Sequence, residues 1–345
     1  MQSKAKHIVL CFVLSSVLAN LFSQDLEMSQ YFAAPLQLNP ALAGISYGPR
    51  ITVNYRNEWS GLGDGFNGGF TTYMAGYDMH IDPLRGGFGV LFVADQIANG
   101  LYGNYKASLM YSQQIKFNNK MALKIGLEGS YIHSAIKWNE LLWSDMINPL
   151  TGFYNNVNIP NPTGEANPAR TSTNSGEMAA GAVFFTEKLY VGFAVNNLLM
   201  HKESFTDKSA INTPMNFVFH LGANLPVHHR NELRYNIWVS PNVLFVNQGN
   251  AYQAEGTFLA GISYFYFGLG YRNVIRNSDA VIGYLGFKKG KVRIGYSYDA
   301  TISKLAGNTA GTHEISFTFN WTGDDNSLNP KKNKGYVPCP SILNF

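Results

Sequence analysis

The sequence predicts an all-β chain, a transmembrane antiparallel outer-membrane β-barrel of about fourteen strands. Three observations predict it. Residues alternate with period two through segment after segment, most cleanly over 292–321. There Val292, Ile294, Tyr296 and Tyr298 oppose Arg293, Gly295, Ser297 and Asp299. After a loop, Ile315, Phe317, Phe319 and Trp321 oppose Glu314, Ser316, Thr318 and Asn320. Such alternation puts the two sets on opposite faces of a strand. In a membrane barrel the apolar face meets lipid and the polar face lines a wet lumen. The second observation is composition. Charged residues make up only 14%, aromatics another 14%, and there are 34 Gly; soluble domains carry about a quarter charged residues. The third is loop length. Short connections near 117–120, 185–188, 226–231, 263–265 and 287–291 alternate with long ones at 61–69, 138–176, 200–214 and 301–311. Short turns on one side and long loops on the other are the outer-membrane pattern.

Taken in order, residues 1–23 read as a signal peptide. Lys4, Lys6 and His7 precede a mostly apolar run over 8–22, and Ser23 is a small residue suited to cleavage after it. Leu10 stands before Cys11 where a lipidation site needs a small residue. No later run approaches the length of a membrane helix. Residues 24–47 form an ordered periplasmic lead-in reaching into the lumen, with Asn39-Pro40 and Gly44 as turn formers. The barrel spans 48–321. Its first five strands are expected at 50–57, at 70–79, ending near Asp95, over 105–112 and at 121–128. Residues 138–176, with Pro149, Pro160, Pro162 and Pro168, are too long for an ordinary connection and read as an extracellular functional loop. Strands resume at 177–185, 189–195, 217–225, 232–243, 252–263, 265–272 and 280–287, and the opening pair completes the set. A periplasmic tail, 322–345, carries Cys339, the one cysteine outside the signal segment and an unpaired thiol.

The inward faces carry Arg56, Lys106, Lys124, Glu128, Arg272, Arg293, Asp299 and Glu314. A wet interior needs such charges, and pairing across the lumen accounts for them. His228-His229 reads as a solvated turn, since adjacent strand residues diverge and no third ligand is at hand. Lys288, Lys289 and Lys291 mark a tight turn at the level of lipid head groups. No G-x-S-x-G elbow, H-E-x-x-H or phosphate loop is present, so neither an enzyme nor a cofactor is expected. The net charge of +4 comes without a basic cluster, which leaves nucleic acid without a footprint. Trp138, Trp143, Phe153 and Tyr154 on the long loop are candidate anchors for a secreted partner, or for folding inward over the pore.

Several stretches resemble one family. They are Gln30-Tyr31 with Asn39-Pro40-Ala41-Leu42-Ala43-Gly44; Asn54-Tyr55-Arg56-Asn57-Glu58-Trp59; Gly295-Tyr296-Ser297-Tyr298-Asp299; Ser303-Lys304-Leu305; and His313-Glu314-Ile315-Ser316. Together they are similar to the signatures of PorP/SprF proteins, and Cys339-Pro340 is similar to that family's short Cys-Pro tail, here followed by five further residues. The resemblance implies an outer-membrane component of type IX secretion in Bacteroidetes-type bacteria. It implies two kinds of partner: a secreted cargo or adhesin recognised by its C-terminal sorting domain, and the periplasmic ring lipoprotein with its own partner. It also implies roles in surface attachment and gliding motility, and it carries no catalytic residues. Two function classes follow. One is a non-enzymatic secretion and attachment component, for which removing 148–176 should release cargo and spare the barrel. The other is a passive channel or transporter for small solutes. A soluble adhesive β-protein is a distant third.

Overall fold

A computed structural model of the chain describes residues 27–46, 48–61, 69–141, 143–146, 163–165, 168, 170–199, 202–203, 205, 211–227, 237–274, 277–303, 310–322, 337 and 339. Fourteen antiparallel strands close into one barrel. They are β1 (Arg50–Glu58), β2 (Phe70–Ile81), β3 (Gly86–Ile97), β4 (Tyr102–Asn118), β5 (Met121–Ile136), β6 (Ser172–Thr186) and β7 (Leu189–Asn196). Then come β8 (Asn216–Ala223), β9 (Ile237–Gln248), β10 (Ala251–Ile262), β11 (Phe265–Val274), β12 (Asn277–Lys289), β13 (Val292–Thr301) and β14 (Thr312–Asn320). Each strand pairs with its neighbours in sequence. The ring closes where β1 meets β14, in a register running from Arg50 opposite Asn320 to Glu58 opposite Thr312. Closure leaves the barrel no open edge, which is what hydrocarbon requires of a β-structure.

The alternation decides which side is which. Phe92, Leu109, Leu127, Leu269, Leu285 and Ile315 are all more than 45% exposed, while Arg293, Ser297, Asp299, Glu314, Ser316 and Thr318 are buried. A soluble sandwich would hide the first set. Here the apolar set forms the outer belt. Among the described residues no helix is long and apolar enough to cross a membrane, so strands are the spanning elements.

Three boundaries differ from the sequence reading. β9, described from Ile237, runs on past 243 to Gln248. Its alternation continues, with Val243 and Phe245 outward and Leu244 and Val246 inward, until Gly249 turns the chain at φ +58°. β8 stops at Ala223, and Leu225–Val227 pairs separately with Ile237–Val239 as a short extension at the short-turn end. β6 begins at Ser172, so the long connection is shorter at its far end than 138–176. The contrast between the two ends is also uneven. Three connections at the long-loop end, 98–101, 249–250 and 275–276, are short.

The larger correction concerns the lumen, which the lead-in fills over most of its length in place of an open wet channel. Residues 28–46 lie inside the barrel and all but Gln37 are buried. They fold as three single turns, Tyr31–Ala33, Pro35–Leu38 and Pro40–Leu42. Tyr31, Phe32, Leu38, Leu42 and Ile45 pack against inward Val183, Phe185, Leu244, Leu259 and Ile282. Met28, Leu36 and Ala43 pack against Met74, Leu91 and Met110 on the other wall. Burying each large apolar side chain is worth about 1.5–3 kcal/mol, so these contacts together favour a filled lumen. The tail expected outside the barrel also differs, because its described residues Val337 and Cys339 are buried in the first of these clusters.

Candidate functional site

Three layers of contacts fasten the plug, residues 28–46, to the wall. The first is at the short-turn end. Arg50 donates to Asp78 twice, Nε to Oδ1 at 2.8 Å and a terminal nitrogen to Oδ2 at 3.0 Å. Both side chains are buried, and this two-point geometry is the strong form of an ion pair. Asp78 Oδ2 also accepts the Gly44 backbone N–H at 2.8 Å. The Ala43 carbonyl accepts from Lys124 Nζ and from Ser112 Oγ, each at 2.7 Å. Asn320 donates to Ser46 Oγ at 2.7 Å. Gly44 sits at φ +60°, and a Cβ there would stand 2.6 Å from the Met79 carbonyl oxygen. Both the conformation and the space therefore demand glycine.

The second layer is at mid-barrel. Asn39 Oδ1 accepts the Ala41 N–H at 2.9 Å and starts the Pro40–Leu42 turn. Its Nδ2 donates to the Phe193 carbonyl at 3.1 Å and lies 3.2 Å from His220 Nε2. Pro40 and Ala41 press on the wall where β5 has Gly126, and any Cβ at that position would run into both.

The third layer lies toward the long loops. Glu314 accepts two backbone N–H groups, from Ser29 and Gln30, each at 2.9 Å. Ser29 Oγ donates to Asp299 at 2.6 Å and accepts from Arg56 at 2.7 Å and Arg272 at 2.9 Å. Arg56 also pairs with Glu314 at 3.1 Å, and Arg272 with Asp299 at 2.9 Å. Two arginines and two carboxylates of the wall thus converge on one plug serine.

Above this layer lies a cavity of about 480 Å³, whose lining includes Glu27 and Gln37 of the lead-in. Arg56, Lys106 and Arg272 are its cations. Lys106 bridges Glu128 at 3.0 Å and Glu177 at 3.1 Å, and Arg272 reaches Asp279 at 2.7 Å. Each cation on this wall is therefore already held by carboxylates. Beyond the strands, the rings of Trp138 and Trp143 pack at 4.7 Å and are half-buried. Asp145 follows them. It accepts from the Gly164 N–H at 2.6 Å and from Thr163 Oγ1 at 2.9 Å. The Gly164 N–H, then the Thr163 hydroxyl, hold its carboxyl below the ordinary range.

Arg56, Lys124, Glu128, Arg293, Asp299 and Glu314 are all inward and buried. Arg56, Asp299 and Glu314 come together in one network. Glu128 belongs to the cavity wall and Lys124 to the opposite end. Phe153, Tyr154 and His228-His229 lie outside the described residues. Sequence reasoning missed Ser29, Asp78 and Glu177, had Gln30 only as part of a family stretch, and did not single out Arg50, although counting back by twos from Arg56 places Arg50 inward. Among the described residues no group of three His, Cys, Asp or Glu is arranged to hold a metal.

The family model described as type IX secretion system membrane protein PorP/SprF matches residues 20–319. The chain belongs to the PorP/SprF family. Being both a family member and a closed β-barrel, it is an outer-membrane component of type IX secretion. The plug residues 39–44 and the hook Glu314 fall in the stretches that carried the resemblance, so those motifs have a shared structural task here: wall and plug hold each other. No curated protein matches the chain. Among solved structures it is similar to a CymD monoaromatic hydrocarbon channel, at 10% identity and TM-score 0.42, with 84% of this chain and 93% of that one covered. It is also similar to the P. putida toluene transporter TodX, at 10% identity and TM-score 0.43, with 82% and 92% covered. The Acinetobacter baumannii outer membrane protein Omp33 matches at 8% identity and TM-score 0.41, with 81% and 100% covered.

Proposed function

We propose that this PorP/SprF barrel is a non-enzymatic scaffold that attaches a secreted protein at the cell surface, sitting in the outer membrane with its long loops outward. The filled lumen carries this reading. A passive channel needs a continuous wet path, whereas here a buried segment crosses the barrel from Glu314 at one end to Asn320 at the other. A barrel without a path works through its ends. The outer end offers the long loop with Trp138 and Trp143, large rings of the kind that anchor interfaces. The cargo is recognised there through its C-terminal sorting domain. The inner end, with the Leu225–Val227 extension, meets the periplasmic ring lipoprotein and its partner. Support for gliding motility follows where the cargo is a motile adhesin.

The test is an affinity pull-down of the tagged protein from detergent-solubilised outer membranes, read by mass spectrometry. Recovery of a large secreted protein, lost when its C-terminal domain is removed, supports the cargo role. Recovery of the ring lipoprotein alone makes the chain a part of the core machine. If neither comes down and planar bilayers show solute-selective conductance, the scaffold reading fails.

A further inference from the structure

We infer that the turn between β12 and β13, with the aromatic rings on either side of it, holds the head group of an anionic glycerophospholipid in the leaflet on the short-turn side. The turn reads Lys288-Lys289-Gly290-Lys291. Gly290 takes φ +59°, the conformation that lets two strands join through so short a link. Three lysines therefore crowd into four positions.

The strand registers set their depth. Phe265, Phe287, Ile294 and Phe317 pair in turn across β11 to β14 and form one outward rung of the apolar belt. Two residues nearer the turn, the next outward rung reads Lys289, Val292 and Phe319. Two residues of strand span about 7 Å. Charge thus begins one rung beyond the last wholly apolar one, where hydrocarbon gives way to head groups.

Aromatic rings flank the lysines on both sides. Tyr264, from the turn between β10 and β11, is exposed, and Lys289 Nζ lies over its ring at 5.2 Å. The ring of Phe287 lies 6.3 Å from Tyr264 and 5.4 Å from Phe265. On the other side Trp321 is exposed and meets Phe319 edge-on at 4.8 Å. The Asn320 N–H donates to the Lys291 carbonyl at 2.8 Å, which ties the turn beside Trp321. Tyr and Trp favour this level of a membrane because their rings are apolar and their edges polar.

Charge decides which lipid. Among the described residues neither Lys289 nor Lys291 has a carboxylate within ion-pair reach. The other described short turns expose Arg85, Lys116, Lys120 and Lys188 against Asp82 and Glu187, so the surroundings are positive as well. A phosphodiester supplies the missing anion, and its acyl chains run along the Phe265–Phe317 rung. A zwitterionic lipid brings the same phosphate with a cation of its own, which the lysines repel. An acidic protein segment would also meet the lysines, but the rings beside them lie on the wall that a membrane barrel gives to lipid. Two lysines near an anionic surface are together worth roughly twentyfold in binding. This inference rests on the barrel in its membrane, not on the secretion role.

Native mass spectrometry of the delipidated, detergent-folded full chain tests it. The probes are phosphatidylglycerol and phosphatidylcholine with identical acyl chains. The wild type should retain phosphatidylglycerol at least about tenfold more strongly, and the preference should shrink as salt is raised. Lys289→Gln with Lys291→Gln keeps the length of both side chains and removes their charge. That variant should retain the two lipids alike while heat-modifiable gel migration persists. The same change at Lys116 and Lys120 should lower the preference far less. Excess inorganic phosphate should leave the lipid bound. Equal retention of both lipids by the wild type, an undiminished preference in the 289/291 variant, an equal loss in the 116/120 variant, or displacement by inorganic phosphate would overturn the proposal.

Discussion

At the scale of single residues, the barrel depends on charges that have no water to fall back on. Asp78 neutralises Arg50 and takes the Gly44 N–H with the same carboxylate. Asp78→Asn leaves a buried guanidinium without its counter-charge, a loss of about 3–5 kcal/mol. The expected outcome is a clear fall in the temperature at which the compact gel form is lost. Replacing both partners, Arg50→Met with Asp78→Leu, should recover only part of it, since the lone guanidinium is gone but the Gly44 N–H is left without its acceptor. Glu314 makes a second case. Glu314→Ala strands the N–H groups of Ser29 and Gln30 and removes a partner of Arg56. Each buried donor left unmet costs about 1–3 kcal/mol. Protease cleavage within residues 27–31 in the folded protein, absent from the wild type, is the expected readout. Period two made the inward direction of Arg56, Asp299 and Glu314 legible in the sequence. Their partners were not legible. Which carboxylate meets which plug atom depends on register and on a segment with no strand pattern, and neither is local in sequence.

At the scale of elements, the strands were the most readable part, because each carries its own two-faced signal. The errors fell where that signal stops. The end of β9 was set too early, at 243 where the strand runs to Gln248, and the start of β6 was missed because Ser172 to Gly176 alternate only weakly. The long loop has a local signal of another kind. Asp145 holds Thr163 and Gly164, and so ties the start of the loop to a point near its end. Its carboxyl is held below the ordinary range, so this tie is present at neutral pH and is lost as the pH falls through that lowered value. Trp143 stands two residues before it in the chain, its backbone N–H reaching Met146 Sδ at 3.4 Å. Tryptophan fluorescence should therefore change on strong acidification and not between neutral pH and mildly acidic conditions. Asp145→Ala should show the acid-type spectrum at neutral pH. The structure also refines the loop deletion. Removing 148–170 stops short of β6, so the barrel should insert and keep its heat-modifiable migration while cargo is lost from the cell surface. Cargo retained at the wild-type level would count against the docking role of this loop.

At the scale of the whole molecule, the wall and the plug are one folding unit with its apolar surfaces in two places. The outer belt is matched to lipid. The inner surface is not matched to water, because Val183, Leu244, Leu259 and Ile282 face the lumen and are covered by Phe32, Leu38, Leu42 and their neighbours. A water-filled pore would not place such side chains inward, and the sequence hid the fact by mixing them with inward Ser, Thr and Asn. Composition and alternation therefore gave the barrel, and only the turn-rich lead-in, read as reaching into the lumen, pointed to its contents. Removing residues 27–46 should have two linked effects. Conductance in planar bilayers should rise from the baseline of the closed wild type, because the lumen is emptied. Thermal stability should fall as well, because exposing apolar wall costs about 25 cal/mol for each Å² wetted. A simple channel blocked by a loose plug would show the first effect without the second. Observing both would mean that the plug is the core of this protein, and that a fully open lumen is not one of its stable states.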